Sequence, residues 1–108
     1  MTSNDINKEQ LKNSLRTVAD MMIDAVVNGK DREGSPREFE KAADAAKAAV
    51  RSIRRSGSGK AVDAALGKYG KREEAHIQSY LRKNDIPGKA RKAVLAAFGE
   101  LIDELRNE

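Results

Sequence analysis

The sequence of 108 residues contains no cysteine, no tryptophan and only one histidine. The absence of cysteine excludes disulfide bonds, thiolate zinc sites and cysteine nucleophiles. A single histidine gives no support to a Ser-His nucleophilic site, and carboxylate pairs such as Asp20 and Asp24 are typical of any solvated helix face. We therefore expect a protein that is not an enzyme, with no catalytic residue, no cofactor and no bound metal.

Large apolar side chains are also scarce. Leucine, isoleucine, valine and phenylalanine together supply only 21 of the 108 residues, near the boundary below which chains stop folding alone. Sixteen alanines favour helix but add little hydrophobic area. The predicted core is therefore lean, and a homo-oligomer would bury what a single chain leaves exposed.

Long apolar runs are absent, and the first five residues, Met1 to Asp5, are polar. Neither a signal peptide nor a membrane span is predicted from such a pattern. We accordingly expect a cytoplasmic protein with no membrane partner.

Apolar residues recur at helical spacing along the chain, as at Leu11, Leu15 and Val18, and no strand-like alternation appears. Ser35, Pro36 and Glu38 form a capping box at the start of one helix, and Gly70 is expected to interrupt another. The prediction is an all-α, single-domain bundle of four to five helices over residues 1–108, with 1–4 and 108 frayed. The expected helices are 5–28, 36–55, 58–69, 71–84 and 88–107.

The net charge of +4 is unevenly distributed. Residues 1–46 hold seven basic and nine acidic side chains (−2), residues 47–92 hold thirteen and four (+9), and residues 93–108 hold one and four (−3). If the helices present this middle segment on one face, the protein has a strongly positive surface.

The best-defined basic feature is the ridge formed by Lys47, Arg51, Arg54 and Arg55, at i, i+4, i+7 and i+8 of the second helix. Like charges at this spacing repel, and nucleic-acid phosphates would offset that repulsion. The prediction is a small non-enzymatic binding protein that contacts DNA or RNA. The proposed contacts are Lys47, Arg51, Arg54, Arg55, Lys60, Lys71 and Arg72, with Lys89, Arg91 and Lys92 in support.

The alternative is a protein–protein interaction module: an inhibitor, an adaptor or a subunit of an oligomeric assembly. The second half of the first helix is apolar on nearly every side, which is typical either of a central helix or of one shared with a partner. An acidic or nucleic-acid-processing protein would then be the partner. The proposed interface residues are Met21, Met22, Ile23, Val26 and Val27.

Three other motifs were considered and carry less weight. The Gly57–Lys60 segment lacks the flanking residues of a phosphate-binding loop. A helix-turn-helix around Asp85–Gly88 would place Lys89, Arg91 and Lys92 on a recognition helix. Glu73 and His76 resemble half of a di-iron site, but no second inward glutamate is evident.

The last helix reverses the usual charge order, since its first turn is basic and its second half acidic. This arrangement opposes the helix dipole. Two explanations remain open: an anion held at the basic end, or pairing of the acidic end with a basic helix, within the fold or across a dimer.

Overall fold

The computed structural model describes residues 3–28 and 36–108, and these form an all-α bundle of four helices. The predicted fold class is confirmed. The helices are α1 (Ser3–Val27), α2 (Pro36–Ser56), α3 (Gly59–Lys83) and α4 (Gly88–Arg106). The predicted Ser35 cap and the rest of segment 29–35 lie outside the described residues.

The prediction of two helices on either side of Gly70 is wrong, because α3 runs unbroken through this position. A helical glycine costs only about 1 kcal/mol relative to alanine, so packing easily overrides it. Gly70 is buried against α4, and a Cβ built there would lie 3.6 Å from Cδ1 of Ile102. The glycine therefore lies at a close helix–helix contact.

Both ends of α3 are closed by local hydrogen bonds. At the start, the Ser58 hydroxyl accepts a bond from the Ala61 amide at 3.2 Å, as an N-cap serine does. At the end, the Ile86 amide donates to the carbonyl oxygen of Leu81 at 3.0 Å, and Asp85 takes a positive φ of 56°. This is a Schellman motif in which aspartate occupies the position usually given to glycine, and it confirms the predicted turn before α4.

All four helices contribute to one hydrophobic core. Phe98 is fully buried, as are leucines of α1, α3 and α4. The core residues are Leu11, Leu15, Val18, Ala19, Ile23, Ala46, Ala49, Val50, Ile53, Val62, Ala65, Leu66, Ile77, Leu81, Val94, Phe98, Leu101, Ile102 and Leu105. Among the described residues, only Ile6 and Tyr80 are large apolar or aromatic side chains that remain well exposed.

Neighbouring helices are held in register by polar contacts. Gln10 of α1 donates to the Ala45 carbonyl of α2. Arg16 of α1 donates a hydrogen bond to Glu73 of α3. One turn later on both helices, Asp20 of α1 is hydrogen-bonded to His76 of α3, so α1 and α3 run in the same direction. No helix in the described ranges is long and apolar enough to cross a membrane.

Candidate nucleic-acid interface

Some side chains of the basic ridge on α2 are already paired with groups elsewhere in the fold. Arg51 Nη1 lies 3.4 Å from Oε2 of Glu108, and Arg54 Nη2 donates to the main-chain carbonyl of Arg106 at 3.0 Å. Arg55 is exposed and bonds to the nearby Ser52 hydroxyl. Of the four ridge residues, Lys47 is half-buried and forms no ion pair within residues 3–28 and 36–108.

Two of the ridge arginines contact the C-terminal end of α4 and the residues after it. The last carbonyl groups of a helix carry partial negative charge, which a cation nearby stabilises. Arg54 supplies that cation from α2, and Arg51 faces the carboxylate of Glu108. The pair of Arg51 and Glu108 is a contact of the kind that the second explanation requires, pairing with a basic helix within the fold.

A second set of basic side chains surrounds the turn between α3 and α4. Residues 82–92 contain five basic side chains and one acidic side chain, Asp85. Arg91 Nη1 donates to the Ile86 carbonyl at 2.8 Å. The other four are exposed and form no ion pair with any part of the chain that the structure describes. They are Arg82, Lys83, Lys89 and Lys92.

A shallow groove runs from this turn along the outer side of α3 and α4. Its ends are basic, with Lys71 at one end and Arg82 and Lys83 at the other. The eleven-residue separation of Lys71 and Arg82 corresponds to about 16 Å of helix. Between them the groove is lined by Glu74, Ala75, Gln78, Ser79, Leu95 and Ala96. We call this surface the hairpin groove.

Lys89 and Lys92 extend the basic character along α4. Lys92 precedes Leu95 by three residues and Ala96 by four, so these three positions share one face of the helix. Lys89 lies a further turn toward the start of α4. Of these predicted contacts, Lys71 lines the groove, and helical spacing puts Lys89 and Lys92 on the face of α4 that continues from it.

Arg82 and Lys83 were missed at the level of sequence. Helical spacing does not distinguish them from other exposed cations, and the ridge of α2 is a denser cluster. The signal that could have found them is the excess of five basic over one acidic residue in 82–92. That excess becomes meaningful only because α3 and α4 form a hairpin.

The remaining predicted contacts are scattered. Lys60 is exposed at the start of α3, at the opposite end of the bundle from the α3–α4 turn. Arg72 Nε lies 3.0 Å from Oε2 of Glu73. The predicted basic residues therefore do not form one continuous surface.

The helix-turn-helix interpretation does not fit this geometry. Such motifs cross at a large angle after a short turn. Here α4 lies alongside α3, since Ile102 contacts Gly70 and a small pocket further along the pair joins Leu66 to Arg106. Lys89, Arg91 and Lys92 consequently lie at the end of an antiparallel helical hairpin.

A buried ion pair joins α1 to α3. Glu73 is completely buried, and its Oε1 accepts a hydrogen bond from Arg16 Nε at 2.5 Å. The bond to Glu73 and the negative charges of Glu73 and Asp20 raise the pKa of the Arg16 guanidinium, although burial opposes this effect. A raised arginine pKa keeps the Arg16 guanidinium charged until strongly alkaline pH.

Glu73 and His76 contact different partners. His76 Nε2 lies 2.8 Å from Oδ1 of Asp20, and its ring is tilted against that of Tyr80 with centroids 6.3 Å apart. Nowhere in the described ranges do three histidine or carboxylate side chains cluster in a way that could hold a metal ion. The fragment resembling a di-iron site is instead part of the polar seam between α1 and α3.

The predicted apolar interface is largely incorporated into the monomer. Ile23 is 5% exposed and belongs to the core, so it does not offer a free surface. Met22, Val26 and Val27 are half-buried and pack against that core. Met21 is also half-buried. The apolar character of this helix is explained mainly by its central place in the bundle.

Comparisons with known proteins identify no relative. No protein-family model, curated protein or solved structure matches the chain.

Proposed function

We propose that this protein is a small non-enzymatic binding protein that contacts nucleic-acid phosphates through the α3–α4 hairpin. The observation that supports the proposal is the group of four exposed cations at the turn, Arg82, Lys83, Lys89 and Lys92, which have no carboxylate partner in the described chain. Cations that are not already paired can release counterions from a nucleic acid when they bind it.

The shape of the hairpin groove also favours a phosphate backbone. Its central lining is made of small or uncharged side chains such as Ala75, Ser79 and Ala96, over which a strand can pass closely. Its basic ends are about 16 Å apart, the axial length of roughly five base pairs of B-DNA. Glu74 is the one acidic residue in the lining, and it limits the positive charge at the middle of the groove.

The ridge on α2 is a weaker candidate than it was at the level of sequence. A phosphate approaching Arg51 or Arg54 competes with Glu108 and with the carbonyl end of α4. We place Lys47, Arg55 and Lys60 as secondary contacts that add long-range attraction. The hairpin is the main contact surface. The proposed location of the protein is the cytoplasm.

The test is fluorescence anisotropy with a labelled 20-base-pair duplex across a range of salt concentrations. The variant Lys83→Ala/Lys89→Ala/Lys92→Ala removes three cations from the hairpin. Each lost phosphate contact reduces the slope of log K against log salt by about 0.9, so the slope should flatten by about 3. Circular dichroism should show an unchanged helix content.

A matched control removes the same charge from the other half of the bundle. Lys8→Ala/Lys12→Ala/Lys41→Ala takes three lysines from α1 and α2 and should leave most of the affinity and the slope in place. Asp85→Asn provides the opposite test, because it deletes the one acidic side chain of the turn while asparagine still tolerates positive φ. This variant should bind more tightly. Equal losses in the two triple variants, or no binding by the wild type at low salt, would refute the proposal.

A protein partner is the alternative, and its support is narrower. The proposed anchors Met21, Met22, Val26 and Val27 retain only partial exposure, although self-association through this part of α1 would cover it. Light scattering measures that directly. Self-association that survives high salt, together with a hairpin variant that behaves as wild type, would favour the protein partner over a nucleic acid.

A further inference from the structure

The aromatic side chains all lie away from the hairpin groove. Phe98 is fully buried in the core, and Phe39 and Tyr69 are half-buried against it. Tyr80 is 45% exposed, but it lines a different pocket with Asp20 and Asp24 of α1, whose carboxylates repel phosphate. None of the side chains that line the groove is aromatic.

This arrangement bears on which form of nucleic acid the groove can hold. Proteins that bind single strands gain much of their affinity by stacking bases on aromatic side chains. The hairpin groove has cations and small side chains but no stacking surface. Its affinity must then come from phosphate contacts, and a duplex presents phosphates at twice the density of one strand.

We propose that the hairpin groove binds double-stranded nucleic acid in preference to single strands, by contact with phosphates and without reading bases. This inference rests on the proposed function, because it specifies the substrate class of the same site. Duplex DNA and duplex RNA share the chemistry that the groove recognises. The cations at the two ends, Lys71 and Arg82, would contact phosphates about 16 Å apart along the axis.

The size of the preference follows from counterion release. For about five phosphate contacts, the slope of log K against log salt is about −4.5 with a duplex and about −3.5 with a single strand. If the two forms bind equally at 1 M salt, the duplex binds about 20-fold more tightly at 50 mM.

The experiment measures the full chain against four labelled probes: 20-base-pair duplex DNA, 20-base-pair duplex RNA, 20-residue oligo(dT) and 20-residue oligo(U). Tighter binding of either duplex, by tenfold or more at 50 mM salt, supports the inference. Single strands that bind as tightly as the duplexes overturn the inference but leave the proposed function standing. Failure of all four probes to bind overturns both.

A second variant tests the reason for the preference. Ser79→Tyr introduces an aromatic ring into the exposed middle of the groove without changing its charge. It should raise the affinity for oligo(dT) by about tenfold, in line with the stacking of one base, and change duplex affinity much less. Equal gains for oligo(dT) and duplex would show that stacking is not what the wild-type groove lacks. Asn13→Tyr, at an exposed position of α1, is the control for adding an aromatic ring elsewhere.

Discussion

The Arg16–Glu73 pair offers the sharpest test of how this lean core is held together. Glu73 is fully buried, whereas 38% of the Arg16 side chain reaches solvent. Arg72 Nε approaches the other carboxylate oxygen to 3.0 Å, but that oxygen accepts no hydrogen bond in the described structure. Arg16→Ala would therefore leave a buried carboxylate with one imperfectly placed partner.

The expected cost follows from this asymmetry. Removing one member of a fully buried pair costs about 3–5 kcal/mol. Because Arg16 is partly solvated and Arg72 remains, we expect Arg16→Ala to lower the free energy of unfolding by about 2 kcal/mol. For a domain of this size, such a loss lowers the melting temperature by roughly 8–16 °C.

Replacing the other member of the pair, Glu73, should change the stability much less. Glu73→Leu replaces the buried charge by an apolar side chain of similar volume, and both arginines can turn toward water. Replacement of buried ion pairs by apolar residues is often neutral or stabilising, so the expected change lies within about 1 kcal/mol of zero. The double variant Arg16→Ala/Glu73→Leu should then regain most of the stability that Arg16→Ala loses.

Urea unfolding followed by circular dichroism measures all three variants, with the m value checked for constancy. Arg51→Ala is the matched control, because it breaks a pair between α2 and the C-terminal Glu108 whose side chains are 54% and 25% exposed. Pairs of that kind contribute about 0–1 kcal/mol. If Arg16→Ala costs no more than Arg51→Ala, or if Glu73→Leu is as damaging as Arg16→Ala, the reasoning is refuted.

Four other substitutions test the packing and the turns by thermal or urea unfolding. Gly70→Ala should raise the free energy of unfolding by up to about 1 kcal/mol, because alanine favours helix and the new Cβ would meet Ile102 at an ordinary contact distance of 3.6 Å. Destabilisation would mean that α4 cannot accommodate a methyl group. Asp85→Gly should raise the free energy of unfolding by about 1 kcal/mol, because glycine adopts the positive φ of this position without strain. An unchanged unfolding midpoint would contradict this. Ser58→Ala should cost about 1 kcal/mol through loss of the N-cap of α3, whereas no loss would show that the cap is dispensable. Phe98→Ala should cost about 3–5 kcal/mol, and a cost below 1 kcal/mol would argue against its central place.

Much of the fold was predictable because its signals are local. The spacing of Leu11, Leu15 and Val18 marks the face of α1 that is buried, and Pro36 begins α2 as the capping box predicted. The prediction failed at Gly70, which is buried against Ile102, 32 positions away in sequence. A helical glycine costs only about 1 kcal/mol, and the packing of α3 against its neighbours outweighs that cost.

The candidate site was less predictable because the spacing of charged residues along the chain does not show which group each of them will contact. Sequence placed Arg51 and Arg54 on an exposed ridge, yet the structure pairs them with the end of α4. In the sequence, Glu73 stands out only in a fragment that resembles half of a di-iron site, and in the structure it is the buried partner of Arg16. Such pairings depend on which helices lie side by side, and that information is long-range.

The contacts of the basic side chains differ between the two ends of the bundle. At the end where α2 turns into α3, Arg51 and Arg54 meet the negative end of α4 and serve the fold. Where α3 turns into α4, the helix N-terminus is already positive, and Lys89 and Lys92 add to that charge instead of balancing it. Because an unbalanced group of like charges destabilises the free protein, it is the stronger functional candidate. A phosphate backbone bound there would offset the repulsion among four exposed cations for which the described residues provide no carboxylate partner.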